Sequence, residues 1–341
     1  MSSRRKEAGV TVLGGGLWGT ALANHLARTG TPVRLWEFFP ELARKLQETR
    51  RHPHIPGLTL RPLVRVGSDL EAAVDGATTL LVVLPSSSVR STARRLRPML
   101  EKARPRPVLI NASKGVEPES LRTMGEVLEE ELPFLGGRIF TLSGPSFARE
   151  VARGVPTKLV LAGTGATPEA LRRLDRGSLR VQRSPDRIGV ELGGSLKNVL
   201  AVGCGILDGL NAGANTKAAL MTEGIAEMGA LIEKLGGRRE TIYGLSGLGD
   251  LIATGTSSES RNRLLGEKLG AGKGLKRALK EIPTVAEGAE SARSAYALAR
   301  SCGLKAPIIG AIWRVAHKGA RPEAIVEALG FTGGRARPGT A

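Results

Sequence analysis

Several stretches of this sequence hold residues whose types and spacing could do chemistry. The first is GGGLWG, Gly14 to Gly19, directly after the apolar run Val10 to Leu13. Gly14, Gly16 and Gly19 fit G-x-G-x-x-G. In that pattern the first glycine allows a tight turn, the second lets the backbone approach a pyrophosphate, and the third lets a helix pack on a strand. Glycine inside an element is about 0.5–1 kcal/mol less favourable than alanine, so such a density needs a reason. A helix beginning at Leu17 would offer free N–H groups and partial positive charge to phosphates. Glu37 lies 21 residues after Gly16, at the end of the next strand-like run. A carboxylate there accepts hydrogen bonds from ribose hydroxyls and repels a 2′-phosphate. The expectation is a dinucleotide site that prefers NAD to NADP, with Arg34, Arg44 and Lys45 close enough in sequence to soften the repulsion.

Charges in apolar surroundings mark further candidates. Lys197 stands in GVELGGSLKNVLAVGCGILDGL, where Glu191 and Asp208 are the other charges. If buried, such a lysine is a usable acid or base; if not, it is a surface lysine reaching water along a half-buried helix. Asp250 is the one charge in TIYGLSGLGDLIATGTSS. An unpaired buried carboxylate is costly, so Asp250 either pairs, with Lys197 the natural candidate, or caps a local turn. In SESRNRLLGEKLG, Ser260 fits an N-cap, with Arg261 and Asn262 opening the helix. That arrangement suits a small phosphate monoester, or simply a solvated helix start. NASKGVEP puts Lys114 just past a strand end, and SGPSFARE puts Ser143, Gly144, Ser146 and Phe147 at another. Ligands meet an open α/β sheet at such ends, although either stretch alone reads equally well as a turn.

The elements that must hold these residues follow from periodicity. Short apolar runs recur at Val10–Leu13, Val33–Trp36, Leu80–Leu84, Val108–Asn111, Ile139–Leu142 and Leu159–Leu161, mostly with helix-like segments between them. This alternation predicts βαβ units and a mainly parallel sheet covered on both faces. A helix is expected over Leu17–Arg28, stopped by Gly30, and Asp69 is expected to cap another. From residue 188 the runs change to helices: Ile188–Leu210, Ala214–Leu235, Ser260–Leu269, Val285–Cys302, Pro307–His317 and Pro322–Leu329. The expected architecture is α/β, a Rossmann-type mainly parallel sheet domain over 1–187 followed by an all-α domain over 188–332, with 333–341 a frayed tail.

The 341 residues suffice for two cores, and 41% hydrophobic with 24% charged residues is the composition of a soluble globular chain. No run approaches the roughly 20 apolar residues of a membrane helix, and no secretory signal opens the chain, so no membrane span and a cytoplasmic setting are expected. Cys204 and Cys302 read as small core residues rather than a disulfide or metal pair, and no metal is expected. The net charge of +18 is spread: 30 basic against 18 acidic residues over 1–187, and 20 against 14 over 188–341. With 36 arginines and 14 lysines and no basic block, it reads as compositional bias rather than as a nucleic-acid surface.

Taken together, GGGLWGTALA, ASKG, LSGPSFARE, GGSLKNVLA, GANTKAAL, GLSGLGDLIAT, SRNR and VAEG resemble, in order and spacing, the NAD(P)-dependent glycerol-3-phosphate dehydrogenase family. The resemblance runs from Gly14 to Leu329. It implies reversible hydride transfer between the nicotinamide of NAD or NADP and dihydroxyacetone phosphate, giving sn-glycerol 3-phosphate for glycerophospholipid synthesis. It implies Lys197 as the proton-transfer residue, oriented by Asp250 and assisted by Asn198, and Lys114 touching both substrate and cofactor. Gly144, Ser146, Asp250, Ser260, Arg261 and Asn262 would line the substrate site. Gly14, Gly16, Leu17, Trp18, Gly19, Glu37, Phe38, Ala148, Arg261, Val285 and Glu287 would contact the cofactor. Two departures stand out. Trp36 is followed by Glu37, Phe38 and Phe39 where bacterial members often carry a basic or polar residue, and Leu17 replaces a small residue. A homodimer is the expected assembly, with no specific nucleic acid. The rivals are a ketopantoate reductase or 6-phosphogluconate dehydrogenase relative, separable by a substrate panel, and a nucleotide-sensing DNA-binding regulator, for which no helix-turn-helix or aromatic-basic module is present.

Overall fold

The computed structural model describes residues 9–165, 169–282 and 286–331. The strands are β1 (Gly9–Leu13), β2 (Val33–Trp36), β3 (Val64–Gly67), β4 (Ala77–Val82), β5 (Val108–Asn111), β6 (Ile139–Ser143), β7 (Thr157–Ala162) and β8 (Leu179–Ser184). Among them run α1 (Leu17–Arg28), α2 (Pro40–Thr49), α3 (Leu70–Val74), α4 (Ser86–Lys102), α5 (Met124–Glu131), α6 (Ala148–Arg153) and α7 (Glu169–Leu174). Then come α8 (Arg187–Gly209), α9 (Gly213–Lys234), α10 (Asp250–Thr256), α11 (Arg261–Gly270), α12 (Leu275–Lys280), α13 (Gly288–Ser301), α14 (Pro307–Lys318) and α15 (Ala324–Ala328).

By contact, the described residues up to Lys114 with Met124–Arg187 form one unit, and Gly115–Thr123 with the residues from Ile188 onward form a second. In the first, eight strands make one sheet in the order β3-β2-β1-β4-β5-β6-β7-β8. All neighbours are parallel except β6 and β7, where Thr141 faces Ala162 in antiparallel register. The strand order reverses between β1 and β4, the switch point at which such sheets bind ligands. Side chains alternate between two cores, as the period of two requires. Val10, Val12, Leu81 and Ile110 enter one core, and Leu13, Leu80, Val82 and Leu109 the other. Asp69 caps α3 by accepting the Ala72 N–H at 3.2 Å.

The second unit is built around α8, in which every residue from Gly189 to Leu207 is buried. By length and composition α8 could cross a membrane, which corrects the expectation that no run comes close. Its apolar window is wholly buried in the protein, so it is a core helix. Both cysteines are free, and burial pushes the Cys204 thiol up to about 12. Glycines let α11 lie against α8 with no side chain between them. A Cβ on Gly205 would stand 1.9 Å from the Arg263 carbonyl oxygen, and one on Gly266 would stand 2.0 Å from that of Val202. This close approach fixes where the first turn of α11 falls along α8.

Candidate active site

In the first unit, three of the four loop glycines answer to the protein's own packing. Gly14 has φ +117°, and a Cβ there would meet the Val83 carbonyl oxygen at 2.2 Å. A Cβ on Gly19 would meet the Gly14 carbonyl oxygen at 1.9 Å, which is the strand–helix contact. A Cβ on Gly15 would meet Glu37 Oε2 at 2.5 Å, so Gly15 leaves the room that brings Glu37 against the loop. Gly16 is exposed and a Cβ there would meet nothing within 4 Å, so its openness faces outward. The α1 N-terminus begins at Gly16 with no side-chain cap.

The loop is also clamped from behind. The Gly15 carbonyl accepts from Thr20 Oγ1 at 3.0 Å and pairs with His52 Nε2 at 3.2 Å. His52 Nδ1 accepts the His54 N–H at 3.1 Å, so the ring proton sits on Nε2. In a trans peptide C=O and N–H are opposed, so the Gly16 N–H points away from this clamp. Burial, opposed by the Gly15 hydrogen bond and aided by His54, holds the His52 imidazole below its usual value. An open glycine, an uncapped helix start and a fixed N–H fit the pyrophosphate of a dinucleotide.

Glu37 is buried at the end of β2, with Oε1 accepting the Phe39 N–H at 3.0 Å. Of the nearby cations, Arg34 donates to the Ala72 carbonyl at 3.0 Å and Arg44 pairs with Glu41 at 2.6 Å. Phe38 is 57% exposed, and Arg95 stands 5.9 Å over its ring. Leu17, Trp18 and Ala148 pack partly against the sheet core. After β5, Asn111 Oδ1 accepts the Ser113 N–H at 3.0 Å, and Ser113 Oγ accepts the Leu84 N–H at 2.9 Å. These bonds aim the next residue: Lys114 Nζ lies 3.4 Å from the Gly144 carbonyl, to which Ser146 Oγ also donates at 3.0 Å. Gly144 has φ +126°.

The second unit holds the other cluster. Lys197 is 6% exposed and Asp250 3%, and Lys197 Nζ donates to Asp250 Oδ1 at 3.0 Å. The pairing expected from two isolated charges is therefore present. Nζ also donates to Thr254 Oγ1 at 2.7 Å. Thr254 was missed in the sequence, although it sits four residues after Asp250 and so one helical turn away. Its hydroxyl lies 2.6 Å from the Asp250 carbonyl, which fixes its direction. Asp250 is the first residue of α10 and follows directly on a π-helical turn over Leu245–Gly249. Removing either partner would strand a buried charge, at a cost of about 3–5 kcal/mol.

One residue beyond Lys197, Asn198 Oδ1 accepts from Asn262 Nδ2 at 2.8 Å, and Asn262 Oδ1 accepts the Gly288 N–H at 2.9 Å. One N–H of Asn262 is thus committed to holding α11 on α8. Ser260 is buried and caps α11, its Oγ accepting the Arg263 N–H at 3.2 Å. Arg263 secures the same turn through Asp208 at 2.6 Å and the Ser257 carbonyl at 3.0 Å, and Lys217 pairs with Asp208 as well. Arg261 is the half-buried first residue of the helix and Glu287 stands just before α13. Val285 lies outside the described residues.

Comparison with known proteins matches two family models along this chain. Residues 9–167 match the N-terminal part of NAD-dependent glycerol-3-phosphate dehydrogenase, and residues 186–327 its C-terminal part. The NAD(P)+ glycerol-3-phosphate dehydrogenase of Geobacter sulfurreducens is 46% identical over 313 residues, covering 91% of this chain and 92% of that one. The crystal structure of glycerol-3-phosphate dehydrogenase from Coxiella burnetii superimposes with TM-score 0.89 at 36% identity, covering 95% of this chain and 99% of that one. A ketopantoate reductase from Ralstonia eutropha, over 95% of this chain and 100% of its own, reaches only 0.57 at 17% identity, a likeness of fold alone.

Proposed function

Because this chain belongs to the NAD-dependent glycerol-3-phosphate dehydrogenase family, we propose that it interconverts dihydroxyacetone phosphate and sn-glycerol 3-phosphate as an NAD(P)-dependent oxidoreductase supplying glycerophospholipid synthesis. The observation that carries this reading is the buried Lys197 held on Asp250 and Thr254. A ketone that accepts hydride needs a proton at its oxygen, and a positioned ammonium supplies one. Bound nicotinamide supplies or takes up the hydride at the substrate carbon. Lys197 donates its proton to the developing alkoxide in reduction and recovers it in oxidation. Asp250 and Thr254 fix the position and direction of the ammonium that meets the substrate oxygen. Asn198 positions Asn262, whose second amide N–H joins Arg261 in binding the substrate phosphate. Binding energy from that remote group orients the carbonyl, an effect that reaches roughly 7–11 kcal/mol in ideal cases. Lys114, Gly144, Ser146 and Ser260 are assigned to the substrate on their family motifs.

Preference for NAD belongs to the same proposal. Glu37 is buried beside the loop, and Arg34 and Arg44 are engaged elsewhere. The test is initial rates with dihydroxyacetone phosphate and each reduced nucleotide. Turnover with NADH above that with NADPH is expected, and Glu37→Ser should narrow the ratio. No turnover with either nucleotide overturns the function, and a higher rate with NADPH overturns the preference. A cytoplasmic homodimer is the expected setting, checked by sedimentation of the purified chain and by cell fractionation.

A further inference from the structure

A cavity of about 410 Å³ opens in the first unit where the last turns of α1, the connection from α2 to β3 and the end of α6 meet. Its lining includes Arg28, Arg61 and Arg153 and no acidic residue. Among the described residues none of the three guanidiniums has a carboxylate partner. Three cations without a counter-charge repel one another, and burial with the neighbouring Arg61 lowers the pKa of Arg28.

Arg28 is half-buried and anchored, whereas the Arg61 and Arg153 side chains are exposed to solvent. Arg28 Nη2 donates to the Val151 carbonyl at 3.1 Å. Gly154 leaves it space, since a Cβ there would stand 2.8 Å from Nη1. The backbone around Arg61 is fixed from both sides. Its N–H donates to Asn24 Oδ1 at 2.8 Å and its carbonyl accepts from Arg50 Nη2 at 2.6 Å. That first bond also sets the Asn24 amide, because only the oxygen can accept. Asn24 is 4% exposed and lines the cavity. Its Nδ2 makes no hydrogen bond to protein among the described residues and is open to the cavity, so its hydrogens are available to a ligand.

We propose that this cavity is a second anion site, taking a small phosphate-bearing ligand on Asn24, Arg28, Arg61 and Arg153. Guanidinium forks match phosphate oxygens in bidentate geometry, and the volume falls within the range of small-molecule sites. The site is separate from the dinucleotide loop. Asn24 and Arg28 lie eight and twelve residues past Gly16 along α1, hence about 12 and 18 Å at 1.5 Å per residue. The partial negative charge at a helix C-terminus, about half a unit, is outweighed by three guanidiniums.

The test is calorimetric titration of the full chain with inorganic phosphate and with phenyl phosphate, at ionic strength held constant with sodium chloride. It is run in an Arg261→Gln background, which removes the substrate phosphate contact proposed above. Saturable binding is expected to persist in that background and to weaken about tenfold or more when Arg28→Gln and Arg61→Gln are added. Asn24→Asp, which keeps the shape and can still accept from the Arg61 N–H, should weaken it similarly. NADH affinity, read by nucleotide fluorescence, should change less than about twofold, which reports an intact fold. Tighter binding of phenyl phosphate identifies a phosphomonoester ligand, and equal binding identifies free phosphate. Loss of all binding with Arg261→Gln alone, or binding indifferent to the paired arginine changes, overturns the site. Unaltered kinetics with Arg261→Gln would count against the substrate assignment instead.

Discussion

The glycine loop and the lysine centre solve opposite problems. The loop works through side chains that are missing. Gly14, Gly15 and Gly19 are bare because Val83, Glu37 and the loop's own carbonyl already occupy the places where Cβ atoms would go, whereas Gly16 is bare toward open space. What is presented there is backbone, which every sequence possesses, so selectivity lies in removing obstacles. The lysine centre works through side chains that are present and satisfy one another. Lys197, Asp250 and Thr254 are each nearly inaccessible, and their charges and hydroxyl are matched within 3.0 Å. Methyl groups added to the loop and polar groups removed from the centre should therefore fail in different ways.

The largest effect is expected at the centre. Lys197→Met should lower kcat by about 10³-fold or more while NADH still binds, and should reduce stability by about 3–5 kcal/mol because Asp250 is left unpaired. Adding Asp250→Asn should recover most of the stability in urea unfolding and none of the turnover. Recovery of both would make Lys197 a structural residue only. Next is the contrast within the loop. Gly14→Ala should cost about 3 kcal/mol in unfolding experiments, through both backbone strain and collision with Val83. Gly16→Ala should leave stability within about 0.5 kcal/mol yet weaken NADH binding about tenfold, because only a bound phosphate would meet the new methyl. Equal stability losses at both positions would erase the distinction between inward and outward glycines.

A smaller effect is expected for Thr254→Val, which keeps shape and removes one hydrogen bond to Nζ. About tenfold in kcat should go, with NADH affinity unchanged. The smallest concerns the clamp behind the loop. His52 is lowered by burial, as is His25, so the folded chain binds fewer protons than the unfolded one near pH 6. Stability is accordingly full above the ordinary imidazole value of about 6.5 and falls as pH drops through the lowered values. Protonation at Nδ1 would turn the acceptor of the His54 N–H into a donor, so NADH affinity should weaken by a few-fold from about pH 7.5 to 5.5. His52→Gln should flatten that dependence, and a profile identical to the parent would remove His52 from loop positioning.

The strands that were legible in the sequence were those covered on both faces. β3 and β8 escaped notice because each lies at a sheet edge and alternates apolar with charged residues, VRVG and LRVQRS, instead of forming an apolar run. The antiparallel step between β6 and β7 carries no local signature at all, since strand polarity is set by connections and not by composition. In the site, Lys197 and Asp250 stood out as lone charges in apolar stretches, whereas Thr254 did not, because a threonine in a helix is unremarkable until its neighbour is known. Gly15 was legible only as a glycine. Its purpose depends on where Glu37 falls.

By itself, then, the sequence determined what short range encodes: the spacing of Gly14, Gly16 and Gly19 between a strand and a helix, the change from strand runs to helices near residue 188, and the isolation of two buried charges. The tertiary structure alone decided which distant groups meet. Asn198 on Asn262, His52 on Gly15, and Arg28, Arg61 and Arg153 around one cavity are separated by tens of residues or more. The physical reason is that periodicity names the buried face of a helix but not its rotation and height against a neighbour. Those are set by packing, here most visibly by the glycines that let α11 settle directly on α8.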